Sequence, residues 1–316
     1  MFFMQRLNRL YEKLFEKKID CFVVTKPINL FYLLGIEVSV GMLIVEQGGY
    51  SLFLDSRYLT LAKEKGLEVK DTPLKERFEN RSVVHIEGEH CTFCQVEELK
   101  SLYPGIQFQS AMVVEEMRMI KDVHEISSLK RAAHLTVNTM QKVMAAIQEG
   151  VTEEELESLV HHPSFTPIIA FGSNSAHIHH RPTKKKYIKK EPVLIDLGVK
   201  VDHYMGDMSR TIHSPLIDQV KEAHDAAIDA CKPGITLGEL DLIVKKIIPF
   251  KDHSLSHGIG LEVHERPFFK GDKERMLVSN MVITIEPGLY IPGVGGARHE
   301  SMVLISENGC EVLTDI

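Results

Sequence analysis

Acidic residues inside apolar, strand-like segments are the feature of this sequence that most restricts its fold. Asp196 lies in the apolar segment VLIDLG, and Asp207 lies in the strand-like segment YMGDMSRT. A buried carboxylate without a compensating charge is strongly unfavourable. Either residue alone could pair with Arg210. A turn around residues 200–203 would set the two carboxylates side by side, and neighbouring carboxylates repel each other unless a cation lies between them.

Two more acids follow the same pattern further along the chain. Glu286 ends the apolar segment VITIE, and Glu300 precedes the apolar segment SMVLI. The nearby cations, Arg210 and Arg298, are too few to pair with four acids. Ion pairs therefore do not explain this arrangement, and a metal centre does.

A histidine completes the candidate ligand set. His257 begins the glycine-rich bend HGIGLEVHE, where the backbone can pass close to a ligand. Four carboxylates and one imidazole are too many for one ion, and they suit two divalent ions about 3.5 Å apart. An oxygen-rich ligand set favours Mn²⁺, Co²⁺ or Fe²⁺, and Zn²⁺ remains possible. The predicted metal ligands are Asp196, Asp207, His257, Glu286 and Glu300.

The N-terminal part of the chain alternates between helical and strand-like patterns. This alternation indicates an α/β domain with a mixed sheet. The glycine pair at residues 48–49 indicates a β-hairpin, and Gly35 is a candidate helix end. The predicted elements are helices at 7–15 and 29–34 and strands at 21–25, 41–46, 50–54, 83–86 and 106–108.

The C-terminal part has helices between antiparallel strand patterns, as in an α+β domain. The stretch from residue 113 to Gly150 is helical, with its clearest periodicity at 125–147. We place the domains at residues 1–115 and 116–316. The other predicted elements are strands at 164–171, 193–199, 208–212, 281–285 and 301–305 and helices at 216–230 and 237–248.

Composition excludes several classes of protein. Net charge is −7 with both signs interspersed, so a nucleic-acid-binding surface is not expected. No apolar run approaches the roughly 20 residues of a membrane span, and the charged N-terminal segment does not resemble a signal sequence. Five cysteines, an odd number, fit free thiols in a reducing cytoplasm. We therefore expect a cytoplasmic protein without a membrane or nucleic-acid partner.

Five ordered motifs, LIDLG, GDMSRT, SHGIGLEVHE, TIEPGLYIPG and GARHE, resemble the pita-bread metallopeptidases, specifically aminopeptidase P and prolidase. Residues 6–65 resemble the N-terminal domain of that family, and MRMIKDVHEISSLKRAA resembles its interdomain helix. The resemblance implies an α/β N-terminal domain and an α+β, creatinase/aminopeptidase-type catalytic domain. It also implies a homodimer or larger assembly.

The resemblance also assigns roles to residues. It places the five predicted ligands at the metal positions of the family, with Asp207 and Glu300 bridging both ions. His264 and His179 match the catalytic histidines, and Glu286 matches the acid that moves a proton. His253 and Arg298 match positions that line the substrate pocket.

The chain departs from the family pattern at a few positions. His177-Ile178 stands where Leu-Pro is common, and His180 stands where Tyr or Gly is common. Ser256 replaces a glycine, and Ser301 replaces an acid. These changes affect the pocket more than the metal ligands.

The implied reaction is hydrolysis of the bond between an N-terminal residue and proline, through a hydroxide activated by two metal ions. The first expectation is an Xaa-Pro aminopeptidase acting on peptides with proline in second position. The alternatives are an Xaa-Pro dipeptidase (prolidase) and a catalytically inactive binding protein with the same fold. A methionine aminopeptidase would lack the N-terminal domain, and a creatinase-like, metal-free hydrolase would not retain all five ligands.

Overall fold

The computed structural model describes residues 2–73, 76–249 and 251–316. The chain divides into two compact units, Met1–Met117 and Arg118–Ile316. Each unit has its own sheets and buried apolar residues. Among the described residues, every helix is too short or too polar to span a lipid bilayer.

The first unit is built around one five-stranded mixed sheet with the order β3-β2-β1-β4-β5. The pairs β1–β2 and β2–β3 are antiparallel, and the pairs β1–β4 and β4–β5 are parallel. This arrangement confirms the predicted α/β architecture. Its strands are β1 (Cys21–Val24), β2 (Gly41–Glu46), β3 (Gly49–Leu54), β4 (Val83–Glu87) and β5 (Gln107–Ala111). Its helices are α1 (Phe2–Glu16), α2 (Pro27–Leu34), α3 (Leu59–Glu64), α4 (Phe93–Leu102) and α5 (Val113–Met119), which runs to the unit boundary.

Two glycines end elements of this unit where the sequence predicts. Gly35 follows α2 with φ 69°, the left-handed conformation that glycine adopts without steric cost. Gly48 has φ 95° in the turn between β2 and β3, whose register pairs Glu46 with Gly49. The turn of the hairpin is therefore one residue shorter than the sequence pattern suggested.

The second unit combines helices with antiparallel strands, as predicted. A three-stranded sheet has the order β6-β7-β8, a five-stranded sheet has the order β10-β9-β11-β14-β15, and β12 pairs with β13. The strands are β6 (Ile168–Phe171), β7 (Val193–Leu197), β8 (Met208–Ile212), β9 (His257–Gly258), β10 (Glu265–Phe268), β11 (Val282–Ile285), β12 (Gly288–Ile291), β13 (Gly295–Arg298), β14 (Ser301–Ile305) and β15 (Cys310–Val312). The helices are α6 (Val123–Ala145), α7 (Glu153–Glu157), α8 (Ile217–Ala230), α9 (Leu237–Ile247) and α10 (Phe269–Asp272).

Two sequence predictions in this unit were wrong in detail. The helical stretch from residue 113 is interrupted at Asp122, whose side chain caps α6 by accepting from the backbone N–H groups of His124 and Glu125. The strand predicted at 164–171 begins only at Ile168. Pro167 has no backbone N–H for a sheet, and the Ser164 N–H instead donates to the Gly198 carbonyl oxygen.

Two apolar cores lie in the second unit, one for each larger sheet. Apolar residues of α6, α7 and β6–β8 form the first core, and apolar residues of α8, α9, β11 and β14 form the second. Because strand side chains alternate between faces, the face opposite each core remains for other side chains. The predicted ligands lie on those faces.

A buried ion cluster within the second unit joins Arg118 and Lys121 to the segment that follows His264. Glu265 accepts hydrogen bonds from the Arg118 guanidinium and, at 2.7 Å, from the Lys121 ammonium. Burial alone would raise the pKa of Glu265, but the charges and hydrogen bonds of Arg118 and Lys121 lower it to about 2. Glu265 is therefore ionised at neutral pH and compensates two buried cations.

We expect Glu265→Gln to lower the free energy of unfolding by about 3–5 kcal/mol, because it leaves the buried Lys121 ammonium without this counter-charge and Arg118 paired with the less buried Glu262. The pKa of Glu265 is lower in the folded state than its ordinary value of 4.5, so its contribution is complete above that value and is lost as pH falls towards 2. Chemical denaturation should show the wild-type and variant stabilities converging over that acidic range. Glu274→Gln, at an exposed position, is the control and should change stability by less than about 0.5 kcal/mol. Equal losses in both variants would contradict this role.

Candidate metal centre

The β7–β8 hairpin brings two of the predicted ligands together. Ile195 and Leu197 on β7 pack into the apolar core, and alternation turns Asp196 to the other face. Asp196 is paired in register with Ser209 on β8. Asp207 lies two residues before Ser209 and therefore shares its face, diagonally across from Asp196.

The connection between these strands is tight. Asp202 and His203 both have positive φ, 47° and 71°, as the central residues of a type I′ hairpin turn require. A Cβ added to Gly198 would lie 1.8 Å from the carbonyl oxygen of Gly206, so a side chain here would push the strands apart. The close approach of the two strands depends on this glycine.

A second antiparallel pair, β11–β14, supplies two more acids. Ile285 is in register with Ser301, and continuing that register by one residue places Glu286 opposite Glu300. Ile283 and Ile285 point into the apolar core of this sheet. Both pairs of carboxylates thus arise in the same way, at the end of a two-stranded ladder whose other face is buried.

His257 faces these carboxylates through its Nε2 atom. Its Nδ1 lies 3.1 Å from the Gly258 carbonyl oxygen, which can accept only from a protonated Nδ1. Its Nε2 lies 3.4 Å from a Glu286 oxygen and 3.8 Å from an Asp207 oxygen. One potential ligand atom each from Asp207, His257 and Glu300 lies within 4.8 Å of the others. This spacing leaves room for a cation between them.

The carboxylates oppose one another's ionisation. Burial raises the pKa of Asp207, and the charges of Glu300 and Asp196 raise it further. Burial and the charge of Glu300 likewise raise the pKa of Glu286. Burial and the charge of Asp196 raise the pKa of Glu300 to about 8. Bound cations would remove this repulsion and allow all the carboxylates to ionise.

His253, His257 and His264 are neutral at physiological pH. Burial, together with the charge of His264, lowers the pKa of His257 to about 3. Burial and the charge of Arg298 lower the pKa of His253 to about 4, and burial also lowers the pKa of His264. A neutral imidazole is the form that ligates a metal.

Asp196 gives the most direct indication that the residues fit a metal ion. One of its oxygens accepts a hydrogen bond from Arg298 at 2.5 Å. Among the described residues, its other oxygen, Oδ1, is buried without a hydrogen-bond partner. Glu300 is similarly half engaged, because one oxygen accepts from the Ser209 hydroxyl at 2.8 Å. Each acid is oriented through one oxygen and keeps the other for a ligand, and this donor set suits divalent cations.

A chain of hydrogen bonds continues from Arg298 to His253. Arg298 donates to the Tyr290 hydroxyl at 2.7 Å, and that hydroxyl lies 2.9 Å from His253 Nε2. Burial raises the pKa of Tyr290 to about 12, so the hydroxyl stays protonated. Sequence reasoning missed Tyr290, although it lies within the quoted motif TIEPGLYIPG, because nothing in its spacing distinguishes it from a packing residue.

All nine predicted site residues line one cavity of about 780 Å³ in the second unit. The structure brings them together from eight separate segments of the chain, and their individual roles stay predictions. The cavity also contains two cations, Arg181 and Lys270, that sequence reasoning did not assign. The nine residues are His179, Asp196, Asp207, His253, His257, His264, Glu286, Arg298 and Glu300.

Two family models and a relative of known activity match this chain. Residues 127–307 match metallopeptidase family M24, and residues 6–120 match the creatinase/prolidase N-terminal domain. The chain is 34% identical to the Xaa-Pro dipeptidase of Pyrococcus furiosus, over 98% of this chain and 97% of that protein.

Solved structures extend the comparison to the whole fold. The prolidase of Pyrococcus horikoshii superposes with a TM-score of 0.89 at 32% identity, over 98% of both chains. The X-Pro aminopeptidase of Thermotoga maritima gives 0.82 at 28% identity, over 94% of this chain and 96% of that one. The expected fold class, an α/β domain followed by a pita-bread catalytic domain, is confirmed. With a family match over most of the second unit and a relative similar along almost its entire length, this chain belongs to metallopeptidase family M24.

Proposed function

We propose that this protein hydrolyses Xaa-Pro dipeptides with two divalent metal ions held by Asp196, Asp207, His257, Glu286 and Glu300. The observation that carries the proposal is that four carboxylates and a neutral imidazole line one cavity, with ligand atoms of Asp207, His257 and Glu300 within 4.8 Å of one another. Retention of the full ligand set argues against a catalytically inactive binding protein. Mn²⁺ is the preferred ion because most of the ligands are oxygens.

The dipeptide is favoured over a longer peptide by the charge of the cavity. Arg181 and Lys270 line it, and among the described residues neither has an ion-pair partner. The free carboxylate of a dipeptide lies one residue beyond the scissile bond, where a cation near the metal site can bind it. The dipeptidase names of the similar proteins point the same way, and the X-Pro aminopeptidase from Thermotoga maritima keeps the aminopeptidase as the second candidate.

The residues around the metals carry out separate parts of the hydrolysis of a tertiary amide bond. Proline has no backbone N–H, so the leaving nitrogen must receive a proton as it departs. In our proposal Glu286 takes a proton from the attacking water and passes it to that nitrogen. His264 stabilises the developing oxyanion, and His179 orients the carbonyl or the proline ring. Bound divalent ions supply carbonyl polarisation and a water that ionises near neutral pH.

Arg298 and His253 have a supporting part in this mechanism. Arg298 orients Asp196 and, through Tyr290, is connected to His253 at the substrate pocket. We therefore propose that both residues line the substrate site.

Other proposals concern the whole protein. We propose a catalytic domain at residues 116–316 and an N-terminal domain at residues 1–115. We also propose a homodimer, as the resemblance implies. The five cysteines are free thiols, which supports a cytoplasmic location.

Metal binding should change how stability depends on pH. In the metal-free protein the pKa of Glu300 is raised from 4.5 to about 8, so the folded state binds an extra proton between these values. Thermal stability of the metal-free protein should therefore fall as pH rises from about 5 to 8, and saturating Mn²⁺ should raise Tm more at pH 8 than at pH 5. Differential scanning calorimetry with and without a chelator measures both effects. The same Mn²⁺ shift in Glu300→Gln as in the wild type would contradict a role for Glu300 in binding the metal.

Glu286→Gln should lower kcat for an Xaa-Pro dipeptide by about 10²-fold or more, because a neutral amide cannot carry the proton. Metal content must be measured alongside turnover, since Glu286 is also a proposed ligand. His264→Ala, which removes no ligand, provides the matched variant with an expected loss of the same order. Wild-type turnover in either folded, metal-loaded variant would exclude the proposed role of that residue.

Substrate length tests the proposed function directly. We expect kcat/KM for Xaa-Pro to exceed that for Xaa-Pro-Yaa at least tenfold. Lys270→Met and Arg181→Met should each lower the dipeptide value about fivefold or more, because each removes a charge-assisted contact to the carboxylate. Neither substitution should change the tripeptide value by more than twofold. Equal turnover of both peptides, or a preference for the tripeptide, would identify an aminopeptidase instead.

A further inference from the structure

A buried carboxylate outside the metal cluster holds the loop that carries His179. Glu153 is the first residue of the short helix α7 and has no exposed surface. One of its oxygens accepts from the Phe171 backbone N–H at 2.8 Å and from the Asn174 side-chain amide at 2.9 Å. The other accepts from the Thr183 backbone N–H at 2.9 Å and its hydroxyl at 2.6 Å.

The fifth contact involves a histidine beside His179. His180 Nε2 lies 2.9 Å from the second Glu153 oxygen. His180 stands at a position where the sequence departs from its family pattern. Both carboxylate oxygens are thus fully engaged, and every partner lies 18 to 30 residues further along the chain.

The partners of Glu153 lie at both ends of one loop. Phe171 ends β6 and Asn174 lies in the 3₁₀ turn that follows, whereas His180 and Thr183 lie at the far end. His179 lies between these anchored points and lines the metal cavity. Both ends of the loop are therefore fastened to a single carboxylate, and the chain through His179 runs between these contacts.

Glu153 is held in its charged form. Burial alone would raise its pKa, but the hydrogen bonds from Thr183, His180, Phe171 and Asn174 lower it below the ordinary range. A carboxylate with several donors around it is a rigid anchor, because each charge-assisted bond is stronger than a bond between neutral groups. The nearby helix residue Glu154 has an exposed side chain, so the contacts belong to Glu153 specifically.

We propose that Glu153 is a positioning residue of the active site, which acts by holding residues 171–183 so that His179 reaches the substrate. The proposal rests on the proposed peptidase function for its kinetic consequence. Its structural consequence, an ordered loop, is independent of that function. No proposed metal ligand lies in this loop, so metal affinity does not depend on Glu153.

The kinetic test is a double-mutant cycle between Glu153→Gln and His179→Ala in the metal-loaded protein. The amide of glutamine presents a donor to groups that are themselves donors, so the loop loses its anchor. We expect Glu153→Gln to lower kcat/KM for an Xaa-Pro dipeptide at least tenfold, because small displacements of a positioned group are costly. In the His179→Ala background the same change should cost less than twofold. Full additivity of the two losses would overturn the proposal.

Two controls and one replacement variant test whether the kinetic effect comes from the contact between Glu153 and the loop. Mn²⁺ affinity measured by calorimetry should stay within threefold of the wild-type value in Glu153→Gln, and a larger loss would overturn the proposal. Glu154→Gln removes the same charge from the neighbouring position and should leave kcat/KM unchanged. If Glu153→Gln does not fold, Thr183→Val removes a single 2.6 Å bond to the same carboxylate and should show the same non-additivity with His179→Ala.

Hydrogen exchange separates this proposal from the peptidase function. The amide protons of Phe171 and Thr183 donate to Glu153, so they should exchange at least tenfold faster in Glu153→Gln than in the wild type. This readout needs no substrate. Faster exchange without any Xaa-Pro hydrolysis by the wild type would reject the proposed function and keep the anchor, and unchanged exchange would reject the anchor itself.

Discussion

The mutual repulsion of buried carboxylates is the constraint around which the second unit of this protein is organised. Asp207, Glu286 and Glu300 lie close together in a largely buried cluster, and burial and mutual charge raise the pKa of each. Such a cluster is unfavourable in a fold without a cation. The cost is tolerable because alternate residues of the same strands pack with helices into apolar cores.

Orientation of the site comes from a second set of residues, each of which engages one half of a functional group. Arg298 binds one oxygen of Asp196, Ser209 binds one oxygen of Glu300, and the Gly258 carbonyl fixes the tautomer of His257. Each contact engages one atom of the group and leaves the other for a ligand. Rigid supports of this kind are what a metal centre needs, because small errors in ligand position weaken both binding and catalysis.

Glu153 extends the same principle to the loop of His179, which also lines the cavity. The metal ligands lie on or next to strands, whereas His179 lies on a loop, and a loop needs its own support to hold a side chain in place. One buried carboxylate with five donors provides that support. No local pattern indicates this support, since Glu153 follows Thr152 in an ordinary capping box and its partners are distant in the chain.

The fold class, most elements and the set of nine candidate residues could be predicted from the sequence, because apolar periodicity, acids inside apolar segments and ordered motifs are local patterns. The family could likewise be predicted from the ordered motifs. The folded structure was needed to show which oxygen of each acid is engaged, that Tyr290 joins Arg298 to His253, and that Glu153 contacts both ends of the loop of His179. These facts depend on strand register and on contacts between residues far apart in the chain, and no local pattern encodes either.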